Sequence, residues 1–327
     1  MGLIEDELKE VRQLCEKVLE QTKLITCVQE MVRVEIALSP MNIITLCIQF
    51  PKNYPTEILL LELKSKTLSE RLLKGLTVLC EKNLKDNIGK PQVMKLIKFV
   101  HTYLLENPLC CCYDEINNIK NSLKSNGTLR IKQKSGCINL EVLGGKYELK
   151  MKITVPKEYP NQCIKIEEYS ANFPEVFNLY LSGQFFEIAR QCVEPPLRKT
   201  KKQERFQVTP SLEPSVKFII ETVLRFPKEK CPVCKVQCLP DNPADAINSD
   251  KNPKHVERAL CGHLYHQECL TSYLTSPPFH RDGKLCLACP QKLQHQKWGI
   301  STRLAEVRWA HQQARERELD EVRDFLQ

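Results

Sequence analysis

Residues 42–55 read NIITLCIQFPKNYP and residues 147–160 read YELKMKITVPKEYP, so one pattern occurs twice at a spacing of 105 residues. Each stretch is an apolar run that ends in a Pro-Lys-x-Tyr-Pro turn, and in the second stretch apolar and polar side chains alternate strictly. Alternation with a period of two predicts a strand that buries one face of its sheet. A pattern that recurs at a fixed distance predicts two copies of one domain.

The residues before each turn predict the same elements in both copies. Apolar residues at helical spacing predict an opening amphipathic helix, marked by Leu8, Val11, Cys15, Val18 and Leu19 in copy one and by Ile116, Ile119 and Leu123 in copy two. In copy one, a strand that precedes the turn segment alternates at Val32, Val34, Ile36 and Leu38. A helix followed by an antiparallel meander is therefore expected in each copy.

The residues after each turn predict one more strand and then helices that cover the sheet. The short apolar strands lie at residues 58–63 and 163–166, and the late helices include residues 93–99 and 216–220. This order of elements predicts an α+β sandwich in each copy. We assign copy one to residues 1–107 and copy two to residues 108–227.

The Tyr-Pro pairs at Tyr54-Pro55 and Tyr159-Pro160, each after a third strand, resemble the corresponding turn of the RWD family. That family shares its core with ubiquitin-conjugating enzymes. Both copies lack the second proline that is common later in the motif, since Ile58 and Cys163 stand in that region. The resemblance implies two non-catalytic binding modules that recruit a protein substrate or the subunits of a complex.

Cys80 lies 26 residues after Tyr54, close to the position of the thioester cysteine in a ubiquitin-conjugating enzyme. It falls among Leu76, Leu79 and Leu84, as a buried helix residue does, and the His-Pro-Asn element of those enzymes is absent. Because the thiolate is the nucleophile and burial disfavours it, we expect Cys80 to be structural.

Cysteine and histidine residues form four closely spaced pairs near the end of the chain. They are Cys231 and Cys234, Cys261 and His263, His266 and Cys269, and Cys286 and Cys289. Zinc takes four thiolate or imidazole ligands in a tetrahedron, and a Cys-x2-Cys turn supplies two of them. The spacing therefore predicts two Zn²⁺ ions, with Cys238, His255, His280 and His295 left outside both sites. Four protein ligands leave no position for a reactive water, so these ions are predicted to be structural.

The ligand order Cys-Cys-Cys-His-His-Cys-Cys-Cys resembles a RING finger, and we assign that domain to residues 228–299. In RING fingers the ligand pairs are cross-braced. The resemblance thus implies one site made of Cys231, Cys234, His266 and Cys269, and a second site made of Cys261, His263, Cys286 and Cys289. Residues 235–260 contain three prolines among polar residues and are predicted to form a surface excursion.

The RING resemblance also implies contacts with a ubiquitin-conjugating enzyme (E2), at Val233, Tyr273, Leu287 and Pro290. Packing over the metal sites is the alternative role for Val233 and Tyr273. Two departures from the family pattern bear on catalytic strength. Leu287 replaces the proline that often follows the seventh ligand, and Lys292 is the nearest cation after the last cysteine, where many members have an arginine. A lysine does not reproduce the forked hydrogen bonding of a guanidinium.

The composition and the remaining segments favour a cytoplasmic and/or nuclear protein. There are 17 cysteines and no secretory signal, which points to a reducing compartment, and no apolar run reaches the length of a membrane span. Five basic residues lie between residues 198 and 205, without aromatic neighbours that stack on bases, so we expect a solvated loop rather than a nucleic-acid partner. Residues 300–327 predict a charged C-terminal helix that docks on the module or on a partner.

These resemblances lead to one hypothesis and one alternative. The layout of tandem RWD-like domains followed by a RING finger looks similar to that of the ligase subunit of the Fanconi anaemia core complex. It implies a RING-type E3 ubiquitin ligase that binds a ubiquitin-charged conjugating enzyme and forms no covalent intermediate of its own. The alternative is a non-catalytic, zinc-stabilised scaffold or adaptor in a protein complex.

Overall fold

The computed structural model of the chain describes residues 2–196, 206–293 and 301–326. It is a mixed α+β protein, as predicted. The described residues divide into two compact units. One is drawn from Met1–Val142, Lys150–Ser170 and Leu181–Ile220, and the other from Leu143–Leu149, Ala171–Tyr180 and Glu221–Gln327.

Copy one contains three helices and a four-stranded antiparallel sheet. Its elements are α1 (Leu3–Val18), β1 (Thr22–Cys27), β2 (Met31–Ser39), β3 (Asn42–Gln49), β4 (Leu60–Lys64), α2 (Glu70–Lys85) and α3 (Val93–Glu106). The strands follow one another in the order β1-β2-β3-β4, so each hairpin pairs neighbours in sequence. A meander of this kind needs only short connections, which is why local alternation was enough to predict it.

The core of copy one lies between one face of its sheet and its helices. Strands β2 and β3 pair with Val34 opposite Leu46, and both side chains are fully buried. Helices α1 and α3 contribute Val11 and Val100 to the same core. Burying an aliphatic side chain of this size contributes about 1.5–3 kcal/mol, so this face provides much of the stability of the domain.

Copy two repeats the arrangement with a longer fourth strand. Its elements are α4 (Tyr113–Leu123), β5 (Gly127–Lys132), β6 (Cys137–Gly144), β7 (Tyr147–Thr154), β8 (Lys165–Ala171), α5 (Glu175–Val193) and α6 (Leu212–Arg225). The strand order is β5-β6-β7-β8. The fourth strand begins later and runs further than the predicted residues 163–166, because its alternation between half-buried and exposed residues includes few large apolar side chains.

A buried carboxylate links the opening helix of copy one to the Tyr-Pro turn and to the last helix. Glu7 of α1 is 3% exposed and accepts hydrogen bonds from the Tyr54 hydroxyl, from the Val93 backbone N–H at 2.9 Å and from the Gln92 backbone N–H at 3.1 Å. These amides belong to the first turn of α3, where the backbone N–H groups have no partner within the helix. Glu7 therefore caps α3 with a charge that suits the positive end of its dipole.

Copy two contains the equivalent network. Glu115 of α4 accepts from the Tyr159 hydroxyl at 2.6 Å and from the Glu213 backbone N–H at 2.9 Å, at the start of α6. The Leu212 backbone N–H donates to the Tyr159 hydroxyl at 3.1 Å. Both Tyr-Pro peptide bonds are cis. The two copies thus share a buried network as well as a sequence pattern.

Cys80 lies in the core of copy one, on α2, with no exposed surface. Burial raises the pKa of its thiol to about 12, so the thiol stays protonated at neutral pH. Such a group is a poor nucleophile.

The remaining described elements are β9 (Val256–Arg258), β10 (Leu264–His266), α7 (Gln267–Thr275) and α8 (Thr302–Phe325). The Ser301 hydroxyl accepts from the Leu304 backbone N–H at 3.4 Å and caps α8, and the Trp309 ring lies 6.2 Å from the Phe279 ring. None of the helices in the described ranges combines the length and the apolar character that a membrane crossing requires. The predicted basic segment, Arg198, Lys199, Lys201, Lys202 and Arg205, lies outside the described residues.

Candidate metal centre

Two turns of the same construction present the first and the last cysteine pairs. In the first turn the Cys231 backbone N–H donates to the Val236 carbonyl at 2.8 Å, and in the last the Cys286 N–H donates to the Gln291 carbonyl, also at 2.8 Å. Isolated bridges close both turns, between Lys230 and Gln237 and between Leu285 and Lys292. Each turn thus holds its two sulfur atoms on one side of a tight backbone loop.

A short hairpin and a helix present the four central ligands. Strands β9 and β10 pair antiparallel, and both Cys261 and His263 lie in the connection between them. Gly262 has a φ of +95°, a backbone conformation that favours glycine, and its N–H closes the connection onto the Ala259 carbonyl at 2.8 Å. His266 ends β10 and precedes α7, whose first turn contains Cys269.

The structure brings the eight predicted ligands together as two separate clusters among the described residues. In each cluster the four ligand atoms all lie within 4.8 Å of one another. The first cluster is Cys231, Cys234, His266 and Cys269, and the second is Cys261, His263, Cys286 and Cys289. The pairs alternate along the chain, so each cluster joins two segments that are distant in sequence. These two clusters can hold metal ions.

The distances within the clusters fit a four-coordinate ion. The His266 Nδ1 atom lies 3.3 Å from the Cys234 sulfur and 4.0 Å from the Cys269 sulfur. The His263 Nδ1 atom lies 3.6 Å from each of the Cys261 and Cys286 sulfurs. Ligand atoms bonded at about 2.0–2.3 Å to a tetrahedral ion are separated by roughly 3.6 Å. The described geometry is therefore compatible with tetrahedral coordination.

In each cluster the pKa of one thiol is lowered, so that thiol loses its proton more readily than an ordinary cysteine does. Burial raises the pKa of Cys231, but the backbone N–H groups of Cys234, His266 and Val233 outweigh it, and the pKa is lowered. Burial likewise acts on Cys286, yet the Tyr265 hydroxyl, 3.0 Å from its sulfur, and the Ala288 backbone N–H, at 3.4 Å, lower its pKa. Donors aimed at a sulfur stabilise the thiolate, which is the form that binds metal.

Cys261 and Cys269 behave in the opposite way, because their pKa values are raised. The pKa of Cys261 is raised to about 11 and that of Cys269 to about 12, and burial is the largest cause of both shifts. Neighbouring cluster thiols raise both values further. Several thiolates held close together repel one another unless a cation lies among them. The composition of both clusters therefore favours a bound cation.

The residues left over from the ligand pattern lie elsewhere. His255 is buried, with Nδ1 at 3.1 Å from the Ile247 carbonyl, and Cys238 is buried with a raised pKa because of desolvation. Neither of them, nor His280, belongs to a cluster, and His295 lies outside the described residues.

The predicted surface excursion at residues 235–260 is only partly at the surface. Residues 241–254 are largely exposed, but His255, Val256, Glu257 and Ala259 are buried. The prediction failed for this second part because β9 pairs with β10. The last residues of the segment therefore form one strand of the hairpin that carries Cys261 and His263.

The predicted contact residues for a conjugating enzyme are accessible to different extents. Val233, in the first turn, is 36% exposed, and Leu287 and Pro290 are exposed on the last turn. Tyr273 on α7 is half-buried, and its hydroxyl donates to the Leu285 carbonyl at 2.9 Å. Lys292 is exposed, and its side chain runs over Gly283, where an added Cβ would lie 3.0 Å from its Cε.

Sequence reasoning missed two buried residues beside the clusters. Tyr265 is fully buried, and its hydroxyl accepts from the Leu287 backbone N–H at 3.3 Å as well as contacting Cys286. Its position between the ligands His263 and His266 was a usable signal. Lys284 is 7% exposed, and no local pattern marks it as buried.

A comparison with known families identifies part of this chain. The family model described as RWD domain matches residues 3–104. Residues 3–104 therefore form an RWD domain, and the family resemblance is confirmed for copy one. No curated protein matches the chain. An RWD domain points to protein interactions related to ubiquitin conjugation, and for copy two and the metal clusters the family assignments stay predictions.

Proposed function

We propose that this protein is a RING-type E3 ubiquitin ligase. It binds a ubiquitin-charged conjugating enzyme and promotes ubiquitin transfer to a substrate that the RWD domain and its second copy recruit. The observation that carries the proposal is the alternating pairing of ligands, since two clusters that interleave along the chain produce the cross-braced arrangement typical of a RING finger. The RWD domain at residues 3–104 supports it independently, because that family is related to ubiquitin conjugation.

The metal in both clusters is proposed to be Zn²⁺. Each cluster offers three cysteines and one histidine, and zinc favours this soft tetrahedral donor set in structural sites. The ion would fix the two cysteine turns and the hairpin relative to one another. With four protein ligands it has no free position, so its contribution is to folding rather than to chemistry.

The proposed activity comes from positioning. Val233, Leu287 and Pro290 would provide an exposed apolar surface for the conjugating enzyme, with Tyr273 beside it on α7. Lys292 is the candidate for contact with both the enzyme and its ubiquitin. Holding the thioester and the acceptor amine in a reactive geometry accelerates transfer without a covalent intermediate on the ligase. The cytoplasm or nucleus is the proposed location, because the cysteines of the described residues form no disulfide and six of them lie in the two clusters.

The test is ubiquitin discharge from a panel of charged conjugating enzymes. Val233→Ala and Leu287→Ala should lower the discharge rate about tenfold or more, because exposed apolar anchors are frequent hot spots of interfaces. The matched control is Val236→Ala, a 60% exposed valine of the same turn with no assigned contact, which should leave the rate unchanged. Stimulation that is absent with every enzyme, or equal in all these variants, contradicts the proposal.

The second candidate is a non-catalytic scaffold, and two residues favour it. Leu287 and Lys292 stand where active RING fingers often have proline and arginine. A scaffold would bind partners through residues 3–104 and copy two and would bind a conjugating enzyme without accelerating discharge. A restored discharge rate in Lys292→Arg would favour a weakened ligase over a scaffold, because a guanidinium can form the paired hydrogen bonds that an ammonium cannot.

A further inference from the structure

Lys284 is a buried cation in the segment between α7 and the last cysteine turn. It is 7% exposed, and its ammonium group donates hydrogen bonds to the backbone carbonyls of Tyr273 and Ser276. The same group lies 4.5 Å from the centroid of the Tyr273 ring and 5.6 Å from that of the Phe279 ring. A single side chain thus contacts the backbone of α7 and two aromatic rings.

Both carbonyls belong to the C-terminal end of α7, where Ser276 is the capping residue. The last carbonyls of a helix lack intrahelical partners, and the negative end of the helix dipole attracts a cation. A buried ammonium is expensive unless hydrogen bonds and nearby charge compensate it. Here the helix carbonyls and the faces of two rings provide that compensation.

The Tyr273 ring is held at two points as a result. The Lys284 ammonium lies over the ring, and the Tyr273 hydroxyl donates to the carbonyl of the adjacent Leu285 at 2.9 Å. Residues 284 and 285 therefore hold the ring to one short segment of backbone. Leu285 is also bridged to Lys292, so this segment continues directly into the last cysteine turn.

We propose that Lys284 is a positioning residue for docking of the conjugating enzyme: it fixes the Tyr273 ring and the end of α7 in the orientation that the partner recognises. This inference rests on the proposed function, in which Tyr273 contacts that enzyme. Lys284 touches neither the thioester nor the partner; it acts through Tyr273. A loss of Lys284 would therefore weaken binding and leave the transfer step itself intact.

The test compares Lys284→Met with Lys284→Arg and with the exposed-lysine control Lys254→Met in the full-length protein. Discharge is measured against the concentration of one charged conjugating enzyme. For Lys284→Met we expect the KM to rise about threefold to thirtyfold with kcat unchanged, the range that loss of a cation–π contact produces. Lys284→Arg should recover part of the affinity, because it keeps a cation, and Lys254→Met should match the wild type.

A double-mutant cycle separates positioning from general stability. In a Tyr273→Ala background, Lys284→Met should raise the KM no further, because the ring on which it acts is gone. Metal content and Tm are measured for every variant. A full additional effect in the Tyr273→Ala background, a loss of bound metal in Lys284→Met or an unchanged KM in Lys284→Met would each overturn the inference.

Failure of the proposed function gives a different result. If the wild-type protein neither binds nor stimulates any charged conjugating enzyme, the ligase proposal fails and the role of Lys284 in docking fails with it. If the wild type is active and Lys284→Met is indistinguishable from it, the ligase proposal stands and the inference about Lys284 alone is wrong.

Discussion

The two copies of the Tyr-Pro domain share a buried network but differ in how their cores are built. Copy one has an aliphatic core in which β2, β3, α1 and α3 pack together, and its residues lie within one compact unit. In copy two, Tyr147 stacks on Phe173 at 4.7 Å, and Phe177 packs edge-on against Phe226 at 5.3 Å. These aromatic residues belong to the unit that also contains both metal clusters.

Two contacts join that aromatic group to the candidate metal-binding segment, residues 228–293, within the same unit. The Tyr147 hydroxyl donates to the Pro240 carbonyl at 2.9 Å. Arg258 of β9 lies 3.7 Å above the Tyr180 ring and donates to the Tyr180 hydroxyl at 2.9 Å. The comparison teaches that copy one lies wholly in the unit without the clusters, whereas part of copy two belongs to the unit that contains them.

The largest effect should come from removing the proposed Zn²⁺ ions. A chelator, or Cys286→Ser, should unfold the metal-binding segment, because structural zinc contributes on the order of 10–16 kcal/mol of apparent binding energy. Hydrogen exchange should show lost protection at residues 171–180 and 221–293 and retained protection at residues 3–104. Metal analysis should fall from two ions per chain.

The control for metal removal is Cys163→Ser, which changes a half-buried thiol outside both clusters. It should keep the metal and the exchange pattern. Equal loss of protection in residues 3–104 on chelation would contradict the contrast between the two copies.

Removing the buried carboxylates should have the next largest effect. Glu7→Ala leaves the Tyr54 hydroxyl and the first amides of α3 without their acceptor, which should lower the free energy of unfolding of copy one by about 3 kcal/mol. Chemical denaturation measures the change, and Glu5→Ala, an exposed residue of the same helix, is the control.

Glu115→Ala tests the same network in copy two. Tyr159 and the start of α6 lose their acceptor, so the effect should again be about 3 kcal/mol. Hydrogen exchange should place the loss of protection at the first turn of α6, with residues 3–104 unaffected. Spread of the effect into copy one would show that the two networks are not independent.

Loss of one tyrosine hydroxyl should lower the free energy of unfolding by less than loss of a buried carboxylate. Tyr54→Phe and Tyr159→Phe keep the ring and remove a hydroxyl that donates to a carboxylate and accepts from the backbone N–H of Gln92 or Leu212, respectively. Each should lower stability by about 1.5–3 kcal/mol. The difference in denaturation midpoint from the wild type measures it. An unchanged midpoint would mean that water replaces the hydroxyl at no cost.

The smallest loss of stability is expected from substitution of Arg258. Arg258→Met removes the cation above Tyr180 and should lower the Tm of the metal-containing unit by an amount equivalent to about 0.5–2 kcal/mol. Metal content should stay the same. A loss of metal would indicate that this contact supports β9 and the ligand hairpin rather than only the packing of residues 171–180.

Much of the fold and the set of candidate ligands could be predicted because their signals are local. The alternation around the Tyr-Pro turns predicted the strands, and cysteine spacing predicted which residues would ligate. The fourth strand of copy two, Lys165–Ala171, was placed too early because it lacks a strong apolar pattern. The burial of His255, Val256, Glu257 and Ala259 was missed because it depends on the pairing of β9 with β10.

By itself the sequence determined two repeated α+β domains and eight paired ligands, since periodicity and spacing are properties of neighbouring residues. The tertiary structure alone decided that Glu7 caps a helix 86 residues away, that Glu115 does so across 98 residues and that the Lys284 ammonium lies over the Tyr273 ring. A charged side chain in a sequence is expected to be solvated. Whether it is buried instead depends on donors, carbonyls and rings that only the folded chain brings within reach.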